Sequence, residues 1–264
     1  MKHFWFLLAL LAVLPLHAET YDLILRNGRV IDGSGNPARF ADIAIQSGKI
    51  VAIGDIKDHA AKELDVRGLI IAPGFIDVHT HAEEVKDQPR GENFVRMGVT
   101  TLVLGNCGGS VLNVGDSFKN LDRIHISPNV ATLIGHGTVR GKAMGGSFMR
   151  PPTDAEMTEM KALVEQAMKD GAVGMSTGLI YLPGTFAKTE EIIELAKVVS
   201  AYDGIYATHQ RSESDGIYKS MDEIFRIARE AHVPAEISHL KLSGKANWGQ
   251  TDKVLAAIEA ARAE

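Results

Sequence analysis

From Leu69 onward the chain repeats one rhythm, a short apolar run followed by an amphipathic helical stretch, and this repetition restricts the possible folds more than any other feature. The runs are Phe75-Ile76-Asp77-Val78, Thr101-Leu102-Val103-Leu104, Val130-Ala131-Thr132-Leu133-Ile134, Ala172-Val173-Gly174-Met175, Ile205-Tyr206-Ala207 and Ala235-Glu236-Ile237-Ser238. Runs this short and this apolar suit strands buried on both faces. The stretches between them carry helix-start signals. Thr153 with Glu156 before Met157 to Met168, and Ser220 with Glu223 before Ile224 to Ala231, have capping-box spacing, and Thr189 is placed to cap Glu190 to Ser200. Strands alternating with helices imply a parallel sheet with right-handed crossovers. An open doubly wound sheet would present a glycine-rich phosphate loop after its first strand, and Pro73 to His81 contains none. Units recurring at roughly 25 to 40 residues suit an α/β fold of the (β/α)8 TIM-type barrel class.

About six of the eight barrel strands are present. The last stretch, Val254 to Glu264, is Ala-rich and helical in pattern. The expectation is therefore the N-terminal part of a barrel over residues 73–264, with the C-terminal strands missing. Such an open sheet exposes two unpaired edges, so residues 1–264 alone are expected to aggregate.

Residues 19–72 differ in kind. Tyr21, Leu23 and Leu25 alternate, and Asn27-Gly28, Asp32-Gly33, Ser34-Gly35 and Ser47-Gly48-Lys49 punctuate short apolar runs with no helical period. Asn27-Gly28 reads as a hairpin turn. This is a small β-sandwich segment, marginal in isolation because so small a sheet buries little surface. Before it, Lys2 and His3 lead into an apolar run from Phe4 to Leu16 and a small residue, Ala18. A positive start, a short apolar core and a small-residue end predict a signal peptide over residues 1–18, hence export to the periplasm or medium. The run is too short for a comfortable membrane span, so no stable membrane anchor is expected.

The chain is 45% hydrophobic with a formal net charge of -5, the balance of a soluble enzyme. Its Lys and Arg are scattered, which argues against a nucleic-acid partner, and nothing in the pattern calls for a protein partner. The single cysteine, Cys107, has nothing to pair with inside the chain, and a lone thiol in an oxidising compartment calls for burial or a bound partner.

Chemistry concentrates at the strand ends. His79 and His81 end the first apolar run two residues apart, so both imidazoles face one side. Cys107 follows the second run, His209 the fifth and His239 the sixth. The C-terminal end of a barrel strand is where sites are built, and thiolate and neutral imidazole are the ligands zinc prefers. Any one of these residues alone is better explained by packing. Five at strand ends together point to a metal. Lys241 lies two residues after His239 and faces the same side, placed to meet an anionic group. Arg211, two residues after His209, could orient a substrate or a neighbouring acid, and Tyr181, after the fourth run, is a weaker contact candidate. His136 is left out of the catalytic set.

The stretch Ala72-Pro73-Gly74-Phe75-Ile76-Asp77-Val78-His79-Thr80-His81 resembles the first barrel strand of the amidohydrolase superfamily. Gly105-Asn106-Cys107-Gly108, Gly135-His136-Gly137, Ser176-Thr177-Gly178-Leu179, Thr208-His209-Gln210-Arg211 and Ser238-His239-Leu240-Lys241 resemble its N-acyl-D-amino-acid deacylase (D-aminoacylase) branch. Hydantoinases and dihydroorotases bridge two metals with a modified Lys ending the fourth strand. Here that strand reads Val173-Gly174-Met175-Ser176-Thr177, without Lys, while Cys107 sits where the deacylase branch has its Cys. The resemblance implies zinc-dependent hydrolysis of the amide bond of small-molecule N-acyl-D-amino acids. It assigns Cys107, His209 and His239 to one tightly bound zinc, His79 and His81 to a second, weaker site, and Lys241 to the substrate carboxylate. It also implies a proton-shuttling Asp on an eighth strand, expected beyond residue 264. Two other functions remain open: an isoaspartyl or D-amino-acid dipeptidase with the same mechanism, and an inactive metal-binding fragment.

Overall fold

The computed structural model describes residues 21–264; the signal-peptide expectation, residues 1–18, lies outside the described residues. The chain divides into two compact units, one ending at Pro73 and one running from Gly74 to Glu264.

In the first unit, strands β1 (Tyr21–Val30), β2 (Arg39–Gln46), β3 (Lys49–Gly54), β4 (Ala60–Asp65) and β5 (Ile70–Ile71) form one mixed sheet. Its order is β3-β2-β1-β4, with β5 pairing the end of β1. The first three strands are antiparallel, and β4 and β5 run parallel to β1. Ser47 and Gly48 both take positive φ, 50° and 73°, as a tight two-residue hairpin turn requires. Asn27-Gly28 is not a turn. It lies inside β1, where the register against β2 shifts between Leu25 and Gly28 and Asn27 takes φ 62°. The dipeptide that suits a hairpin suits a bulge equally well, because both need a residue tolerant of left-handed backbone. Arg26, in β1, reaches Asp42 on β2 and Glu63 on β4, each at 2.9 Å, and so ties β1 to its neighbour on either side. Its guanidinium holds the Glu63 carboxyl down at about 2. Ile24, Val30, Ile43 and Ala44 are buried, whereas Phe40, Ile50 and Val51 are exposed, and no second sheet packs on this one among the described residues of the unit.

In the second unit, strands and helices alternate as expected. Strand β6 (Phe75–Asp77) leads to the short helix α1 (Glu92–Arg96), β7 (Val99–Leu104) to α2 (Val114–Ile124), and β8 (Asn129–Gly135) to the pair α3 (His136–Met144) and α4 (Asp154–Lys169). Strand β9 (Gly174–Gly178) then leads to α5 (Thr189–Ser200), β10 (Ile205–His209) to α6 (Ile217–Ala231), and β11 (Ala235–Ile237) to α7 (Thr251–Arg262). The six strands pair only in parallel and only with their sequence neighbours, in the order β11-β10-β9-β8-β7-β6. Strictly sequential order belongs to a singly wound barrel; a doubly wound sheet reverses its strand order at a switch point. All the strand C-termini therefore come to one rim.

The core lies where helices cover strands. Ile134, Met175 and Tyr206 from β8, β9 and β10 pack with Val139, Met160, Val164, Ile192, Leu195 and Ile224 from α3 to α6, all essentially inaccessible. Every residue of β9 is buried, so the register of that strand against its neighbours is strongly fixed. The Thr153–Glu156 capping box forms in both directions at the start of α4. The other two helix starts differ from expectation. Helix α6 begins a turn before Ser220, whose hydroxyl instead accepts the Ser212 N–H, while Glu223 pairs with Arg211. Thr189 is the first residue of α5 rather than its cap, and its hydroxyl donates to Glu223. No helix among the described residues is long and apolar enough to cross a membrane.

Candidate metal centre

Four strand ends converge on one point of the rim. After β6 the backbone is anchored by Thr80, whose N–H and hydroxyl both reach the Val103 carbonyl, at 3.3 and 3.1 Å. The buried Asn106 side chain donates to the carbonyls of Thr80 and Val103. With Thr80 turned into this joint between β6 and β7, its neighbours His79 and His81 share the other side. Their rings meet edge to face at 5.3 Å between centroids.

Cys107 stands on a tight turn after β7. Gly105, Cys107 and Gly108 all take positive φ, 76°, 55° and 79°. For a cysteine this is a strained conformation, held only when its surroundings over-determine it. Ser176, fully buried on β9, supplies that hold. Its hydroxyl donates to the Gly105 carbonyl at 2.5 Å and accepts the Gly108 N–H at 2.9 Å, closing the turn from both sides. Ser176→Ala should leave both backbone groups buried and unpaired. A stability loss of about 1–3 kcal/mol is expected by denaturant unfolding, together with faster labelling of Cys107 by a thiol reagent; unchanged labelling would remove Ser176 from this role.

Three imidazole nitrogens surround the thiol. Cys107 Sγ lies 3.7 Å from His79 Nε2, 3.8 Å from His209 Nδ1 and 3.8 Å from His239 Nε2. Thiolate and imidazole donors on one tetrahedral zinc, at about 2.3 and 2.0–2.1 Å from the ion, would stand about 3.5–3.6 Å apart. The observed spacing lies within a few tenths of an ångström of that, and one thiol among imidazoles is a zinc-type donor set. Burial pushes the His79 and His209 pKa values down, which favours the neutral, lone-pair-bearing form a ligand needs, and it pushes the Cys107 thiol up. Cys107 is a free thiol. Two possible ligand groups, His79–Cys107–His239 and His209–Glu213–His239, share His239. His81 stands at the edge of the cluster, against His79 and more exposed.

The remaining candidates separate. Lys241 Nζ contacts the Glu213 carboxylate and lies 2.9 Å from His239 Nδ1, with about half of its side chain exposed toward the rim. Tyr181 packs its ring edge to face with His209 at 4.7 Å. It borders a hollow of about 370 Å³ walled largely by glycines, including Gly108, Gly137 and Gly178, with Cys107 in its lining. Arg211 is not brought into the cluster. Its guanidinium makes a two-pronged pair with Glu223 at 2.9 and 3.0 Å and donates to the carbonyls of Thr185 and Ala187, so all its reach goes to fastening the segment that follows Tyr181. His136 lies apart from the cluster, fully buried against Glu191.

Glu213 joins the cluster without having stood out in the sequence. Its carboxylate is buried behind the cluster, 3.1 Å from His239 Nδ1 and 3.6 Å from His209 Nε2. Its position four residues after His209 was the only local signal, and in an irregular loop that spacing carries no directional meaning.

Residues 62–261 match the amidohydrolase family. The chain is 42% identical to a D-aminoacylase of Alcaligenes xylosoxydans xylosoxydans over 93% of its own length and 56% of the relative's. The crystal structure of a D-aminoacylase, described as defining a novel subset of amidohydrolases, superposes with a TM-score of 0.89 at 37% identity over 92% of this chain and 56% of that one. A Bordetella bronchiseptica N-acyl-D-glutamate deacylase, in complex with zinc and a phosphonate mimic of the tetrahedral intermediate, superposes equally well at 35% identity, over 92% of this chain and 56% of that one. The chain thus spans a little over half the length of the relatives it matches.

Proposed function

Because this chain belongs to the amidohydrolase family, we propose that its strand-end cluster is a zinc centre and that the protein hydrolyses the amide bond of N-acyl-D-amino acids, releasing a carboxylate and a D-amino acid. The observation that carries this reading is the convergence of three imidazole nitrogens on the Cys107 thiol at 3.7–3.8 Å. Its support from relatives is the likeness to D-aminoacylase and to the deacylases of N-acyl-D-aspartate and N-acyl-D-glutamate.

Cys107, His209 and His239 would hold the tightly bound ion, and His79 with His81 would belong to a second, weaker one. When bound, zinc lowers the pKa of a water to near 7 and polarises the amide carbonyl. The chain's own groups bind and orient. Lys241 presents its ammonium beside His239, within reach of the carboxylate of an amino-acid substrate. The glycine-walled hollow beside Cys107 lets backbone approach the substrate closely, and Tyr181 forms one wall against His209. Ser176 and Thr80 keep Cys107 and the paired histidines in register across three strands. Export belongs to the same proposal, on the strength of the apolar segment at Phe4–Leu16.

The test is hydrolysis of N-acetyl-D-amino acids by the complete natural protein, with L-isomers and isoaspartyl dipeptides alongside. D-selective deacylation supports the reading. Zinc binding with cleavage of isoaspartyl or D-residue dipeptides alone would transfer it to the dipeptidase alternative, and zinc binding with no hydrolysis would make the chain a metal-binding protein only.

A further inference from the structure

A single buried carboxylate stands behind two of the proposed ligands, and nothing in the zinc reading itself requires it. Glu213 lies in the loop after β10. Its backbone carbonyl accepts the Ser243 N–H at 2.7 Å, which ties that loop to the one after β11. Its Oε1 is 3.1 Å from His239 Nδ1 and 3.6 Å from His209 Nε2, and it also contacts Lys241 Nζ. In each histidine the nitrogen on the Glu213 side is the one turned away from Cys107. The opposite nitrogens, His209 Nδ1 and His239 Nε2, are the two that face the thiol at 3.8 Å.

We propose that Glu213 is the positioning residue of the metal centre: it fixes His239 as the Nδ1–H tautomer and aligns His209, so that both present a bare nitrogen to the ion, and it gives the Lys241 ammonium an ionic partner in place of the ring nitrogen. The inference rests on the metal-centre reading and adds a residue to it. Its physical content is a competition at one atom. His239 Nδ1 has a carboxylate oxygen at 3.1 Å and the Lys241 ammonium at 2.9 Å. If the lysine donates to Nδ1, the ring proton must sit on Nε2, on the side of the thiol, where it blocks coordination. If the carboxylate accepts from Nδ1–H, Nε2 is bare. The carboxylate prevails because it satisfies both neighbours at once: it takes the ring proton through a charge-assisted bond and gives the ammonium an ionic partner. Carboxylates behind ligating histidines set tautomer and ring direction in this way, and their loss typically costs 10- to 100-fold in metal affinity.

The test uses cobalt(II) as the probe, titrated into the full chain and read by the thiolate-to-cobalt charge-transfer band and by affinity. Glu213→Gln should bind about 10- to 100-fold more weakly while keeping the thiolate band. Adding Lys241→Met to that variant should recover affinity, since it removes the competing donor while the Gln oxygen can still accept from Nδ1–H. A residue that merely supports the fold would not be rescued by deleting a lysine. Parent-like affinity in Glu213→Gln overturns the inference, and so does complete loss of binding in a folded variant, which would make Glu213 a ligand. Should Glu213→Gln fold poorly, the ring-nitrogen NMR signals of His239 in the metal-free parent decide: Nδ1–H is expected, and Nε2–H overturns the inference. Failure of the parent to give any thiolate–cobalt band would instead sink the metal-centre reading.

Discussion

Cys107→Ser will strip the centre of its metal. Serine is close in size and can take the same backbone conformation, so the change removes little but the thiolate. The sulfur is the one atom from which His79, His209 and His239 are all 3.7–3.8 Å away, so its loss removes the point on which the cluster converges. A neutral hydroxyl is a poor substitute for a thiolate on zinc. Outer-shell partners alone are worth 10- to 100-fold in affinity, so loss of a direct ligand should cost at least about 100-fold. After dialysis against a competing chelator, the parent should retain close to one zinc per chain and the variant close to none. Full retention by the variant would place the ion elsewhere.

Glu191→Ala will destabilise the second unit more than any surface change. Glu191 on α5 is nearly inaccessible and serves two wholly buried partners on α3, accepting from Arg140 Nε at 2.9 Å and facing His136 Nε2 at 2.8 Å. Arg140 uses its remaining nitrogens on the carbonyls of Phe148 and Arg150, at 3.1 and 2.6 Å, so the guanidinium has no route to solvent. Removing the carboxylate leaves a buried, uncompensated cation, which costs about 3–5 kcal/mol. At about 2–4 °C per kcal/mol for a unit of this size, the melting temperature should fall by roughly 6–20 °C. The effect should extend to the rim, because the first turn of α3 holds the Cys107 turn: Thr138 N–H donates to the Gly108 carbonyl at 3.2 Å, and the Thr138 hydroxyl accepts the Ser110 N–H at 3.0 Å. Metal affinity should therefore weaken along with stability. A melting temperature within about 1 °C of the parent would mean that the buried pair is not the keystone its burial implies.

Much of this architecture was legible in the sequence, and for identifiable reasons. Strands buried on both faces must be short apolar runs, so Thr101–Leu104, Val130–Ile134 and Ile205–Ala207 stood out, and each became part of β7, β8 or β10. Once a singly wound sheet is expected, topology brings residues at the strand ends together, which is why Cys107, His209 and His239 could be grouped though no short-range pattern links them. What was not legible depends on partners distant in sequence. Asn27-Gly28 has the chemistry of a turn, but pairing with β2 on both sides of it makes it a bulge. Ser220 and Glu223 have capping-box spacing, yet the Ser212 N–H and the Arg211 guanidinium, supplied by the preceding loop, claim both side chains inside α6. Arg211 shares its strand end with His209, but the direction of so long a side chain is decided by Glu223 and by the carbonyls of Thr185 and Ala187. Glu213 carried no periodic signal, because its role exists only once the loops after β10 and β11 are joined.

X-ray absorption at the zinc edge of protein loaded with one zinc per chain tests most directly whether Cys107, His209 and His239 hold the tightly bound ion. The predicted spectrum contains one sulfur at about 2.3 Å and nitrogen or oxygen neighbours at about 2.0–2.1 Å, with the sulfur contribution lost in Cys107→Ser. A bound zinc surrounded by nitrogen and oxygen alone would contradict that assignment.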